Sequence, residues 1–256
     1  MIHGKEGGRV IKGLRPGGFL LTERAIRSGG FPPGGRLLDV GCGRGDTVAY
    51  LAAAGYDAYG IDLDGQRILL GRELYPGLNL IEGDGCQLPF DGKMFDGVLM
   101  ECSLPCIYNR KEALHEAYCV LKDKGTIVIH APCLTEPSQE QLQRLSQVRN
   151  THGQPLSREE DGCCRTMEEL ADRDDCGIDG VLLLDEVAKA MTEIGFDITG
   201  MEDYTGLMTE FMVEFLLNGA LREDEDRELA AEYEYYKRIC GLNGVGYFQL
   251  TAGKRG

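Results

Sequence analysis

Apolar residues recur along this chain in two alternating rhythms. Short apolar runs read as strands at Leu37–Val40, Ala58–Ile61, Leu78–Glu82, Lys93–Met100, Thr126–His130, Phe196–Met201 and Tyr247–Thr251. Between them lie stretches with apolar positions at helical spacing. These are Phe19–Ile26, a segment through Val48, Leu51 and Ala52, Asp64–Leu74, a helix opened by Asn109 with Ala113, Leu114, Ala117 and Val120 on one face, and Leu183–Ile194. Asp64 and Asn109 are residue types whose side chains accept hydrogen bonds from first-turn amides, and Glu112 adds the third-position acid of a capping box. Such alternation predicts an α/β fold with a seven-stranded, mostly parallel sheet and helices on both faces.

The rhythm lapses from Pro132 to Gly180, where one helix is expected over Ser138–Val148 amid loop material. Two further helices, Leu207–Leu217 and Asp226–Ile239, intervene before the last strand. The expected organisation is an N-terminal arm and helix over 1–35 and a main domain over 36–256, with cap insertions at about 132–180 and 205–243. A long irregular connection is rarely kept without use. These insertions therefore read as a lid over the site or as a dimer surface.

Chemistry concentrates where the first strand ends. Leu37-Leu38-Asp39-Val40 runs into Gly41, Gly43 and Gly45, and a helix follows at once. Glycine suits such a turn because it accepts positive φ and lets the backbone approach a ligand. Asp62 follows Gly45 by 17 residues, at the carboxyl end of the next strand, where an acid accepts hydrogen bonds from ribose hydroxyls. The third glycine comes two residues after the second, one fewer than in the dinucleotide fingerprint, and Asp39 stands two before the first. A carboxylate there suits a cofactor with a cationic amino-acid end.

In Asp39-Val40-Gly41-Cys42-Gly43-Arg44-Gly45 the sequence resembles the first motif of the class I S-adenosylmethionine-dependent methyltransferases, which have a Rossmann-like fold. Gly83-Asp84-Gly85, the Leu88-Pro89-Phe90 that follows, and Phe95-Asp96-Gly97-Val98 resemble later stretches of that family. By pattern the likeness is to the small-molecule branch that includes ubiquinone and menaquinone biosynthesis methyltransferases. The resemblance implies S-adenosylmethionine as cofactor, with S-adenosylhomocysteine as product. It implies a cofactor site at Asp39, Gly41, Cys42, Gly43, Gly45, Asp62, Leu63, Asp84, Gly85, Cys86, Glu101 and Cys102. Asp84 would meet the adenine amino group, and Arg15 or Arg24 the cofactor carboxylate.

Charge narrows the partner. The net charge of -15 is nearly all in residues 132–256, which hold 12 basic and 26 acidic side chains. Such a surface repels phosphate backbones, so a small-molecule acceptor is expected and a nucleic acid is not. The chain shows neither a signal-like start nor an apolar run long enough to span a bilayer, and it reads as a cytoplasmic protein with no membrane insertion. Its ten cysteines then read as reduced thiols.

Methyl transfer rests on alignment, so the sequence names a cofactor more clearly than a catalyst. Should the acceptor need a base, Glu101, His130 and Tyr204 stand nearest the expected strand ends. Two alternatives remain at this stage. One is a metalloid methyltransferase, with arsenite held by thiolates among Cys102, Cys106, Cys133, Cys163, Cys164 and Cys176, although no resident metal is expected. The other is a module that binds the cofactor without turnover.

Overall fold

The computed structural model describes residues 15–134, 181–219 and 244–256, together with 136, 138–139, 177–178 and 239. In chain order these give α1 (Phe19–Gly29), β1 (Arg36–Val40), α2 (Asp46–Ala53), β2 (Asp57–Asp62), α3 (Gly65–Leu74), β3 (Asn79–Glu82) and β4 (Phe95–Glu101). A short 3₁₀ turn (Leu104–Cys106), α4 (Arg110–Val120) and β5 (Leu121–Leu134) follow. Then come β6 (Gly177–Ile178), β7 (Val181–Leu183), α5 (Leu184–Ile194), β8 (Phe196–Asp203), α6 (Thr205–Gly219) and β9 (Val245–Lys254). The expected caps form: Asp64 accepts from the Gln66 and Arg67 amides, and Asn109 from the Glu112 amide.

Strands β3, β2, β1, β4 and β5 lie side by side in that order and run parallel. β9 pairs antiparallel with β5, and β8 with β9. Strand alternation sorts the core into two layers. Leu38, Val98 and Ile127 face Ala113, Leu114 and Ala117 of α4 and Val187 and Met191 of α5. Their chain neighbours Leu37, Leu99 and Val128 face Ala25 of α1, Val48 and Leu51 of α2 and Ile68 of α3. Each such side chain, fully buried, contributes about 1.5–3 kcal/mol, so a one-residue slip of any inner strand would expose several at once.

All seven expected strands are present, and β6 and β7 bring the strands of the sheet to nine among the described residues. β5 also runs four residues beyond its expected end at His130, through Pro132 to Leu134. Proline is tolerated for a geometric reason. The His130 carbonyl accepts from the Cys102 amide, so Pro132, two residues on, aims its nitrogen toward the side where β4 has already ended. No β4 ladder bond is lost, and β9 pairs along the other side as far as Leu134. Residues 132–134 and 177–178 thus belong to the sheet, inside the stretch expected as cap.

A third cluster joins Leu21 of α1, Leu134, Val181, Leu183, Tyr204, Tyr247 and the Met208 and Met212 side chains of α6. The expected helices over 138–148 and 226–239 fall almost wholly outside the described residues, as does the arm before Arg15. Among the described residues no helix is long and apolar enough to cross a membrane.

Candidate active site

The carboxyl ends of β1 to β4 converge on the glycine turn. Gly41 has φ 76°, and a Cβ there would lie 2.3 Å from the Ser103 Cβ, so the turn closes against the chain leaving β4. Gly43 also has positive φ, 55°, yet a Cβ would meet only the Arg67 Nη1, at 3.9 Å. The space before Gly43 is open, as a backbone that receives a ligand requires. Its amide donates to Asp62 Oδ2 at 2.7 Å, and the Asp64 amide donates to Oδ1 at 2.9 Å. Asp62 is thereby held against the glycine turn with acceptor capacity left on both oxygens. Leu63, beside it, is 63% exposed.

Asp84 stands on the loop after β3. Its Oδ1 accepts from the Cys86 amide at 2.8 Å and its Oδ2 from the Tyr108 hydroxyl at 3.1 Å. Asp39 is 2% exposed, and its Oδ1 has no hydrogen-bond partner among the described residues. Burial, and after it the Glu101 charge, push its carboxyl well above the usual carboxylate range, with Arg15 acting in the opposite sense.

Glu101 is the centre of a buried polar cluster. Its carboxylate receives Arg15 Nη2 at 2.8 Å, the Thr22 hydroxyl at 3.0 Å and the Thr47 hydroxyl at 2.9 Å. His130 Nδ1 lies 3.3 Å away. Burial alone would raise this carboxyl; Arg15, followed by His130 and Thr47, instead holds it at about 2. A carboxylate so held is a poor proton acceptor. His130 is 1% exposed and also engages Gln249 Oε1 through Nε2, at 2.7 Å. Tyr204 donates to Glu202 at 2.5 Å and lies under the Arg24 guanidinium. Arg24 is thus engaged by Tyr204, whereas Arg15 is engaged by Glu101.

Just past Glu101, Cys102 takes φ 60°, and its Sγ lies 2.8 Å from the Tyr247 hydroxyl. Thr22, Thr47, Tyr108, Tyr247 and Gln249 thus join the site without having been singled out from the sequence. Tyr247 and Gln249 carried a hint, as residues of an expected terminal strand. Of the cysteines suited to a metalloid, Cys102, Cys106 and Cys133 are described, and Cys163, Cys164 and Cys176 lie outside the described residues. No three thiols among the described residues bring their sulfurs within 4.8 Å of one another. Burial pushes the Cys106 thiol up to about 12 and the Cys133 thiol higher still, so neither offers a ready thiolate.

Residues 38–129 match the family described as a methyltransferase domain. Over that stretch the chain resembles a methyltransferase domain. It is 34% identical over 100 residues to the demethylmenaquinone methyltransferase of Renibacterium salmoninarum, covering 39% of this chain and 42% of the relative. An uncharacterized protein of Haemophilus influenzae is 30% identical over 156 residues, 57% of this chain and 62% of its own. The chain spans less than two thirds of the length of these relatives. Among solved structures, phosphoethanolamine N-methyltransferase 2 of Haemonchus contortus, in complex with S-adenosyl-L-methionine, superposes with TM-score 0.69 at 17% identity. That likeness covers 96% of this chain and 55% of the other. The cyclase SpnF superposes with TM-score 0.65 at 22% identity, over 92% and 81%. These two show the fold and nothing finer.

Proposed function

We propose that this protein transfers a methyl group from S-adenosylmethionine to a small-molecule acceptor. The observation that carries the reading is a pair of buried, unpartnered polar atoms of opposite character: Asp39 Oδ1 and Arg15 Nε, which have no hydrogen-bond partner among the described residues. A zwitterionic amino-acid end fits both, its ammonium on Asp39 and its carboxylate on Arg15. The remaining acceptor sites of Asp62 suit two ribose hydroxyls, Leu63 offers an apolar surface to adenine, and Asp84 suits the adenine amino group. Gly85 and Cys86 would contribute main chain there, and Gly41, Cys42, Gly43 and Gly45 would form the cradle. Glu101 and Cys102 would border the transferred methyl.

The cofactor supplies an activated methyl group on a sulfonium. The chain's own work is to align the acceptor and exclude water, effects that together reach roughly 7–11 kcal/mol of a barrier. None of Glu101, His130 and Tyr204 is held as a free base, so this reading assigns no proton abstraction to them. The cluster of Leu21, Met208, Met212 and Tyr247 packs against Cys102 and favours an apolar face on the acceptor. The names of the curated relatives, demethylmenaquinone methyltransferase among them, also support a small acceptor. The metalloid reading has no thiol cluster behind it among the described residues.

The test is incubation with S-adenosylmethionine carrying a deuterated methyl group and a metabolite extract, read by mass spectrometry, with Asp62→Ala as control. A labelled product that needs Asp62 supports the reading and gives the acceptor's mass. Tight cofactor binding by calorimetry without any labelled product, with menaquinone precursors added, would overturn methyl transfer in favour of a binding module.

A further inference from the structure

We propose that the outer face of α4 carries a site for a soft divalent cation of the Zn²⁺ class, held by His115, Glu116 and Cys119. Their ligand atoms all lie within 4.8 Å of one another. His115 and Cys119 are four residues apart, hence neighbours on one helix face, and the sulfur is 3.9 Å from either ring nitrogen. A tetrahedral zinc with bonds of about 2.0 Å to nitrogen and 2.3 Å to sulfur sets those atoms roughly 3.5 Å apart. A small rotation of two partly exposed side chains closes that gap.

Glu116 is aimed from outside the helix. The Leu88 amide donates to its Oε2 at 2.7 Å, which fixes the carboxylate, and a carboxylate oxygen lies within 4.8 Å of the His115 and Cys119 donors. Hydrogen bonding from a neighbouring group is how ligating carboxylates are generally oriented. The opposite face of α4, with Ala113, Leu114, Ala117 and Val120, is buried in the core, so the helix that presents the donors is rigid. Lys254 interacts electrostatically with Cys119, and its Nζ is engaged by the Tyr118 and Leu121 carbonyls at 2.7 and 2.8 Å.

The donor set chooses the ion. One thiolate and one imidazole favour zinc, cobalt, nickel or copper over magnesium and calcium, and the carboxylate completes three protein ligands with a fourth place for water. None of these residues belongs to the proposed methyl-transfer site, so the inference stands apart from that reading.

The experiment titrates the reduced, full-length protein with Co²⁺, following the near-ultraviolet thiolate-to-metal absorption, and repeats it with Cys119→Ser, His115→Ala and Cys106→Ser. One Co²⁺ per chain is expected, with apparent affinity at least tenfold weaker in the first two variants and unchanged in the third. In parallel, Zn²⁺ should slow alkylation of Cys119 at least tenfold, measured on the Cys119 peptide by mass spectrometry, and lose that protection in His115→Ala. Absorption that survives Cys119→Ser at unchanged affinity, or Cys119 alkylation indifferent to Zn²⁺, would overturn the site.

Discussion

Arg15 and Glu101 meet at 2.8 Å, where the Glu101 side chain is only 2% exposed. The pair joins the stretch before α1 to the end of β4, with Thr22 and Thr47 completing the carboxylate's shell. Removing one partner strands a buried charge, which typically costs about 3–5 kcal/mol. Glu101→Leu should therefore lose stability of that order in urea unfolding, and Arg15→Met combined with Glu101→Leu should recover much of it. Equal midpoints for the single and double variants would show that the two residues are not coupled.

Acid should reveal the same pair. The Glu101 carboxyl falls from an ordinary value of 4.5 to about 2 in the fold. A depressed folded pKa contributes stability that is full above the unfolded value and lost as pH falls toward the folded one. Stability of the unaltered protein should decline between about pH 4.5 and 2 more steeply than that of Glu101→Gln, measured by urea midpoints at successive pH values. Parallel slopes would contradict the depressed carboxyl.

Asp39 has the opposite sign. Its carboxyl lies well above the ordinary range, so it favours the protonated form, and a cofactor ammonium placed on it would expel that proton. S-adenosylmethionine binding should tighten as pH rises and should release a proton, detected by calorimetry in buffers of different ionisation heat. Asp39→Asn should abolish the release and weaken binding about tenfold or more, since hydrogen bonds to charged groups contribute about 1.5–3 kcal/mol. Proton release unchanged in that variant would assign it to another group.

Gly41 and Gly43 should separate stability from binding. At Gly41, φ 76° brings about 1–2 kcal/mol of backbone strain and a Cβ only 2.3 Å from Ser103 about 1–3 kcal/mol of overpacking, so Gly41→Ala should destabilise by about 2–5 kcal/mol. At Gly43 the space is open, so Gly43→Ala should cost only about 1–2 kcal/mol of backbone strain but should weaken cofactor binding more than tenfold. Thermal melts and calorimetry on the two variants decide it, and a Gly43→Ala protein that binds normally would place the cofactor elsewhere.

Much of this was legible in the chain because its signals are local. Asp62 ends its strand, the glycine turn and Asp84 follow theirs within a few residues, and both helix caps sit next to the amides they serve. Glu101 was visible as a strand-end acid but not as a hub, because Thr22 and Thr47 lie 79 and 54 residues away in sequence. Pro132 hid the last turns of β5, since proline reads as a strand breaker unless the side it faces is known. Tyr204 looked like a base near a strand end, and only the fold shows its hydroxyl turned to Glu202.

That overrun of β5 has a geometric consequence. Beyond the Glu101–His130 pair, residues 131–134 stand above the edge of β4 with β9 on one flank and β7 on the other. The sheet therefore has a raised parapet of main chain along one border, while the border above β1, β2 and β3 stays low. Main chain cannot be mutated away. Exchanging Cys102, Leu134 or Met208 would change the side chains packed along this wall, but not where the wall stands.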